Sequence, residues 1–508
     1  MSDQDNSELL ELNKRISKTL DNERKEAAEI RHIKGFRTAR ENLQHLVDED
    51  SFIEYGQLAV AAQRNRRDYE ELQSTTAADG IITGLCSINK DLVGEELSKA
   101  IAVVNDFSVL AGTQGFFHHK KLDRMCDLAK KTKRPIVMFT EGGGGRPADT
   151  DVSTQIAGLN ITSFTRWAKL TGHSLRISVN NGYCFAGNAA LYGASDFCIA
   201  TKKSWIGMAG PAMIEGGGLG IFNPKDIGPA EMHFKNGHID FLAEDEEEAT
   251  NFTQKLLSYF QGSTQNWIEH DQTLLRQIIP SDRRMGFPVR NIIETIADED
   301  SFLELKKVFG RSIITGFLRI KGKPYAILAN DCQQLGGAID SAAADKASNF
   351  IEICSDHGLP IISFVDTPGF MVGPDSEKEG AFRRMGDFFK NGARIKNPLV
   401  GIVLRRGYGL GAMAMMGGSF IDPIYTASWP NGEFGGMGLE GYVKLGFKKE
   451  LEAEETEEKR QALFDKLLAR MYEIGKATEA AAHLELDAVI DPADTRETII
   501  KAFSSIGA

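Results

Sequence analysis

Apolar residues fall in short runs along the chain, and two matched pairs of runs set its architecture. Residues 134–140 (RPIVMFT) and 359–365 (LPIISFV) are apolar, rich in β-formers and followed by glycine. Such runs suit strands buried on both faces of a parallel sheet. Residues 173–179 (HSLRISV) and 398–404 (PLVGIVL) form the second pair. Each leads through a glycine-rich turn into a small-residue helix, GNAALYGA from Gly187 and GAMAMMGG from Gly411. Upstream, residues of about 119–132 and 341–356 carry apolar positions at helical spacing. The alternation predicts an α/β protein.

The pairs belong to an internal duplication. Asp48-Glu49-Asp50-Ser51-Phe52-Ile53-Glu54 returns as Asp298-Glu299-Asp300-Ser301-Phe302-Leu303-Glu304, and Ile81-Ile82-Thr83-Gly84 as Ile313-Ile314-Thr315-Gly316. From Asn105, a constant step of 225 reaches Asn330, and the same step carries Lys121 to Lys346, Pro135 to Pro360 and Glu141 to Asp366. It also carries Gly182-Tyr183 to Gly407-Tyr408. Two similar domains follow, 1–284 and 285–508, with a hinge at 278–290 (IIPSDRRMGFPVR), where Pro, Gly and charge replace periodicity. The first fifty residues are charged and helix-forming and predict an arm against the first domain. Residues 448–471 predict a charged, solvated helix.

Composition narrows the function. At 508 residues the chain exceeds one ordinary domain, and 42% hydrophobic with 26% charged residues suits a globular protein. No apolar run reaches the roughly 20 residues of a bilayer span, and the acidic N-terminus has no secretory h-region. A cytoplasmic protein is expected. Six cysteines (Cys86, Cys126, Cys184, Cys198, Cys332, Cys354) stand singly in apolar surroundings, so buried free thiols are expected rather than a zinc or redox site. A net charge of −12 opposes a nucleic-acid partner. The 51 glycines point to close backbone approaches.

Four glycine-rich turns follow predicted strands, at 141–146, 182–188, 366–373 and 407–412. A turn of this kind at a helix start aims main-chain N–H groups at an anionic oxygen, phosphate or enolate. Gly407-x-Gly409-x-Gly411 lacks the spacing of a dinucleotide fingerprint, and no GxxxxGK[ST] loop, GxSxG elbow or HExxH pair occurs. His118-His119 reads as a surface pair rather than a metal site. Any catalysis must come mainly from backbone dipoles and substrate positioning.

At these residues the chain resembles the carboxyltransferase β subunits of propionyl-CoA, acetyl-CoA and methylcrotonyl-CoA carboxylases. Residues 35–41 (GFRTARE) with the Asp48 segment, Asp79-Gly80 with Thr83-Gly84, 141–146 (EGGGGR) and 364–370 (FVDTPGF) carry the likeness. Trp429-Pro430, Met437-Gly438, Asp491-Pro492 and Thr495-Arg496 complete it. The resemblance implies tandem crotonase-like domains, the first receiving acyl-CoA and the second carboxybiotin. It also implies a trimer of dimers with active sites between chains, and a separate biotin carboxylase and biotin carboxyl carrier, since neither an Ala-Met-Lys-Met motif nor an ATP-binding carboxylase region is present. No metal or membrane insertion is implied.

Carried over by position, the oxyanion donors are Ala186 and Gly187 in the first half, and Leu410 with Gly411, or Gly411 with Ala412, in the second. Cofactor contacts fall on Gly143, Gly144, Gly369 and Phe370. Arg146 is an anion contact, and Lys121 and Lys346 are either cofactor or phosphate contacts or solvated lysines. The sequence has Ala186-Gly187-Asn188 where many relatives have Ala-Gly-Gly, and no acidic residue at 410–414, which implies an acyl pocket larger than an acetyl site. The carboxyltransferase of a sodium-pumping acyl-CoA decarboxylase is the nearest alternative. A non-catalytic scaffold is the alternative of another class.

Overall fold

The computed structural model describes residues 3–146, 149, 151 and 158–507. Met1, Ser2 and Ala508, at the ends of the two predicted domains, and residues 147–148, 150 and 152–157 lie outside the described residues. The chain divides into two compact units, Met1–Gln261 and Gly262–Ala508. The division precedes the expected 284/285 boundary because the stretch before it already belongs to the second unit. There Thr264 N–H donates to Gly322 O at 3.0 Å, and Leu275 is buried in that unit's core with Phe287 and Val289. The irregular sequence at 278–290 therefore lies within the second unit, where its last two residues open helix Val289–Ile296.

In the first unit the sheet is formed by β1 (Ile53–Glu54), β2 (Ile81–Ser87), β3 (Lys99–Asn105), β4 (Ile136–Phe139), β5 (Arg176–Asn180), β7 (Phe197–Thr201) and β9 (Phe241–Ala243), in that spatial order. β6 (Tyr183–Phe185) and β8 (Trp205–Gly207) pair beside it. The second unit repeats the plan with β10 (Leu303–Leu305), β11 (Ile313–Ile320), β12 (Lys323–Asn330), β13 (Ile361–Thr367), β14 (Leu399–Tyr408), β15 (Tyr425–Ser428) and β17 (Ala488–Val489), while β16 (Glu433–Gly435) pairs the end of β14. Each sheet starts antiparallel and becomes parallel from its third strand. Ile136 to Phe139 are all buried, as continuous apolar runs in two-sided parallel strands require.

The repeated segments have repeated conformations. Asp50 and Asp300 both take the left-handed region, φ 56° and 57°, and Ser51 and Ser301 donate back to Asp48 O and Asp298 O at 3.2 and 3.0 Å. Aspartate is among the few non-glycine residues that tolerate this region.

Strand register corrects the repeat in one place. β4 aligns Ile136 with Arg176 of β5, and β13 aligns Ile361 with Leu399 of β14. Ile136 to Ile361 is a step of 225, whereas Arg176 to Leu399 is a step of 223. The stretch of sequence between these strands is two residues shorter in the second unit, so Gly182-Tyr183 is not the counterpart of Gly407-Tyr408. Phe185 pairs Gly207 and Tyr408 pairs Gly435, which makes Phe185 and Tyr408 equivalent.

The N-terminal arm forms helices Asp3–Ser17, Lys25–Ile33 and Ala39–Leu46. The last starts with a capping box: Thr38 accepts from Glu41 N–H, and the Glu41 carboxylate accepts from Thr38 N–H. The predicted charged helix is two helices, Lys448–Glu452 and Glu457–Ile474, and no residue of the longer one is fully buried. All six cysteines are buried and outside any disulfide. Among the described residues, no helix is long and apolar enough to cross a membrane.

Candidate active site

The two candidate turns share one backbone device. Ala186, just ahead of helix Gly187–Gly193, has φ 50° and ψ −118°, and Gly409, opening helix Gly409–Met415, has φ 59°. A positive φ at an alanine costs on the order of 1–3 kcal/mol and persists only where the surroundings impose it. Here the imposition is visible: Ala186 N–H donates to Gly207 O at 3.0 Å, holding the residue against β8. That bond also removes Ala186 from the expected donors, because its N–H is already engaged.

With Ala186 and Gly409 equivalent, Gly187 corresponds to Leu410, and Asn188 to Gly411. The amides of Gly187 and Leu410 lie in the first turn of their helices, where no helical acceptor exists, and neither donates to another described residue. Gly187 is half-buried and Leu410 is 62% exposed. Ala412 lies further into its helix and is fully buried, so the alternative that used Gly411 with Ala412 loses its outer donor.

The glycines that precede these helices serve packing rather than open anion binding. Gly142, Gly143 and Gly144 donate to Tyr183 O, Ala111 O and Asn188 Oδ1 at 2.7, 3.0 and 3.0 Å. A Cβ on Gly144 would lie 2.7 Å from Ala186 Cβ, and one on Gly142 would lie 2.3 Å from both Asn188 Nδ2 and Gly112 O. In the second unit Gly369 N–H donates to Thr367 Oγ1 at 3.0 Å. A Cβ on Gly411 would meet Gly369 C, Gly369 Cα and Phe370 N at 2.7–2.9 Å. The amides of Gly143, Gly144 and Gly369 are thus consumed internally, contrary to their expected role as cofactor contacts. Phe370 is half-buried, bridges Ile339 and faces the Phe389 ring at 6.0 Å.

The three basic candidates are also internal. Arg146 is buried against Asp79, Asp149 and Thr113 O, so it neutralises buried carboxylates instead of meeting a substrate anion. Lys121 Nζ donates to Ala78 O and Ile81 O. Lys346 Nζ donates to Lys306 O, Phe309 O and Ile313 O at 3.0, 3.0 and 2.7 Å. Neither lysine is solvated or free for phosphate. Burial pushes Lys121 down to about 8 and Lys346 down to about 7. His118 is likewise buried rather than at the surface, and burial holds its imidazole well below the ordinary histidine range. Sequence reasoning marks Asn188 only as a departure from relatives and gives it no role. Its side chain joins both flanks of the first turn, accepting from Gly144 N–H and donating to Thr140 O at 3.1 Å.

Behind the second turn lies Asp366, fully buried between Arg405 and Arg406 at 2.9 and 2.8 Å. Burial acts to raise its pKa, but the two guanidiniums hold it below the usual carboxylate range. Arg406 N–H also donates to Asp366, at 2.9 Å, so the ion cluster fixes the end of β14 from which the turn departs. Among the described residues no cluster of His, Cys, Asp and Glu could hold a metal. The chemistry this geometry offers is hydrogen-bond donation from main-chain amides to oxygens that gain negative charge.

Comparison with known proteins agrees with the duplicated plan. The carboxyl transferase domain model matches residues 31–506. The methylmalonyl-CoA carboxyltransferase 12S subunit of Propionibacterium freudenreichii subsp. shermanii is 31% identical over 485 residues, covering 93% of this chain and 89% of that protein. The propionyl-CoA carboxylase beta chain of Saccharopolyspora erythraea is 28% identical over 93% of this chain and 88% of its own. Among solved structures, a single-chain, multi-domain long-chain acyl-CoA carboxylase matches with TM-score 0.91 and 48% identity over 97% of this chain, which spans 48% of that protein. Transcarboxylase 12S, solved as a hexamer with methylmalonyl-CoA bound, matches with TM-score 0.82 and 29% identity, covering 94% of this chain and 91% of that one. With tandem crotonase-like units behind a helical arm and a family match running almost end to end, the chain belongs to the carboxyl transferase domain family, that of the carboxyltransferase subunits of biotin-dependent acyl-CoA carboxylases.

Proposed function

We propose that this protein transfers a carboxyl group from carboxybiotin, borne on a separate carrier, to the alpha (or vinylogous) carbon of an acyl-CoA thioester. The first unit receives the acyl-CoA and the second the biotin. The observation that carries this reading is the matched pair of free amides, Gly187 and Leu410, at turns that share a positive-φ residue. Carboxybiotin, when bound, supplies an activated carboxyl group. The second turn suits its ureido oxygen because Leu410 is an exposed residue and its helix, Gly409–Met415, carries no charged side chain. Gly187 N–H donates to the thioester oxygen as that oxygen takes up enolate charge, and Leu410 N–H donates to the ureido oxygen. Each donor is worth about 10²–10³ in rate. By likeness to the transcarboxylase hexamer, the chain assembles as a homo-hexamer, with biotin carboxylase and carrier functions supplied by partners. Six buried cysteines outside any disulfide suit a reducing, cytoplasmic setting.

Proline at either position deletes the N–H and keeps a helical φ. Gly187→Pro and Leu410→Pro should each lower transfer at least 10²-fold, whereas Leu410→Ala, which keeps the amide, should retain the backbone contribution. Full turnover in the folded proline variants would end the assignment.

A further inference from the structure

We propose that the carboxamide of Gln114 is a second donor, beside Gly187 N–H, to the thioester oxygen in the first unit, an inference that rests on the acyl-CoA carboxylation reading above. The main chain alone leaves that oxygen short of partners. Ala186 N–H is held by Gly207 O, and a carbonyl oxygen has lone pairs for more than one donor. Gln114 lies directly against Gly187. A Cβ on Gly187 would stand 2.3 Å from Gln114 Oε1, 3.1 Å from its Cδ and 3.2 Å from Phe164 Cζ. The carboxamide therefore fills the space that a side chain at 187 would take. Gln114 is 4% exposed, and its Nε2 is buried with no hydrogen-bond partner. A half-turn of the carboxamide exchanges its nitrogen and oxygen and brings the N–H to the Gly187 side.

The duplication supplies an internal control, because Ile339 holds the same place in the second unit. Gln114 N–H donates to Gly144 O at 2.7 Å, and Gln114 O accepts from Arg146 N–H at 2.9 Å. Ile339 makes the matching pair with Gly369 O and Met371 N–H, at 3.0 and 2.8 Å. The three residues before each share a left-handed backbone, with φ 48°, 55° and 63° at Leu110, Ala111 and Gly112 and 49°, 60° and 82° at Leu335, Gly336 and Gly337. Ile339 is fully buried, so this fold closes the position with hydrocarbon alone. Nothing in the scaffold asks for an amide at 114, and a buried donor without a partner is a cost that isoleucine avoids. What sets the first unit apart is its ligand. As the thioester oxygen gains enolate charge, Gln114 Nε2–H and Gly187 N–H both donate to it, and no bond to Gln114 forms or breaks.

The test compares wild type with Gln114→Met, which keeps the reach of the side chain and removes the donor, and with Gln114→Ile, which installs the residue that the second unit already accommodates. Carboxyl transfer is measured on the full chain with carboxylated carrier and a panel of acyl-CoA thioesters, and circular dichroism with thermal midpoints checks each fold. Both variants should lose at least 10²-fold in kcat. KM for the acyl-CoA should stay within about threefold, the pattern of an interaction made only in the transition state. Thermal midpoints should not fall, since the change removes an unpaired buried group. A raised KM with kcat intact would make Gln114 an ordinary binding contact and overturn the proposal. Unchanged kinetics in the folded variants, or loss of folding in both, would overturn it as well. A wild type that carboxylates no thioester ends the functional reading and this donor with it, whereas an active wild type with unmoved variants ends the donor alone.

Discussion

The two units close equivalent turns by different means. In the first, a side chain does it: Asn188 reaches across, accepts from Gly144 N–H and donates to Thr140 O. In the second, the equivalent position is Gly411, whose bare backbone packs onto Gly369, and the Thr367 hydroxyl takes the Gly369 N–H. One turn is tied by a removable amide group, and the other is set by contact between main chains. The first should tolerate a weakened link, and the second should not tolerate an added atom.

The sharpest way to break the comparison is Gly411→Val. Its Cβ would meet backbone atoms of Gly369 and Phe370 at 2.7–2.9 Å, and backbone cannot swing aside. Displacing the turn by about 1 Å should cost on the order of 10²-fold in carboxyl transfer, read with a short acyl-CoA and carboxylated carrier. The buried lysines come next. The folded pKa of Lys346, about 7, lies below the ordinary lysine value of 10.5, so between these limits the unfolded chain binds more protons. Stability contributed through this group therefore rises with pH from about 7 to about 10 and is lowest below 7. The swing should be on the order of 2–3 kcal/mol, seen in urea midpoints between pH 6.5 and 9.5. Lys346→Met should flatten it, and Lys121→Met should remove a smaller slope that begins near pH 8.

Asn188→Ala follows, leaving a buried N–H and carbonyl without partners at a cost of about 1–3 kcal/mol. Urea unfolding of the variant should show this loss, with transfer reduced less than in Gly411→Val. An equal or greater loss of transfer would mean that the two turns are not separately built. Thr367→Val should be mildest, about 1 kcal/mol for one hydrogen bond. A larger effect would show that the second turn depends on its hydroxyl as heavily as the first does on its asparagine.

The strands, the duplication and the glycine turns were legible because periodicity and glycine placement are local. The 225 step was readable as far as β4 and β13 but failed beyond them. A two-residue difference in the length of a connection leaves no periodic signal, and the identical Gly-Tyr dipeptides at 182–183 and 407–408 concealed it. Arg146, Lys121 and Lys346 were misread for another reason. A basic residue near a glycine turn looks the same in sequence whether it faces solvent or an internal carbonyl. The one available clue was the repeat itself, which holds a lysine at matched helix positions in both halves, as a merely solvated residue need not. Asn188 was noticed only as a departure from relatives, and its partners come from a loop more than forty residues earlier.

The arm's arginines carry a consequence for how the first unit can be handled. Arg24 pairs with Asp106 at 2.6 Å, Arg31 grips Glu141 with both nitrogens at 2.9 and 2.7 Å, and Arg40 does the same to Glu54 at 3.0 and 3.1 Å. In the second unit a single arginine, Arg290, serves both Glu304 and Asp331 from inside the body of the unit. The opening helices are therefore counter-ions rather than an appendage. A fragment trimmed to begin after Arg40 would deprive three carboxylates of their arginine partners, so an expression boundary for the first unit belongs upstream of Arg24.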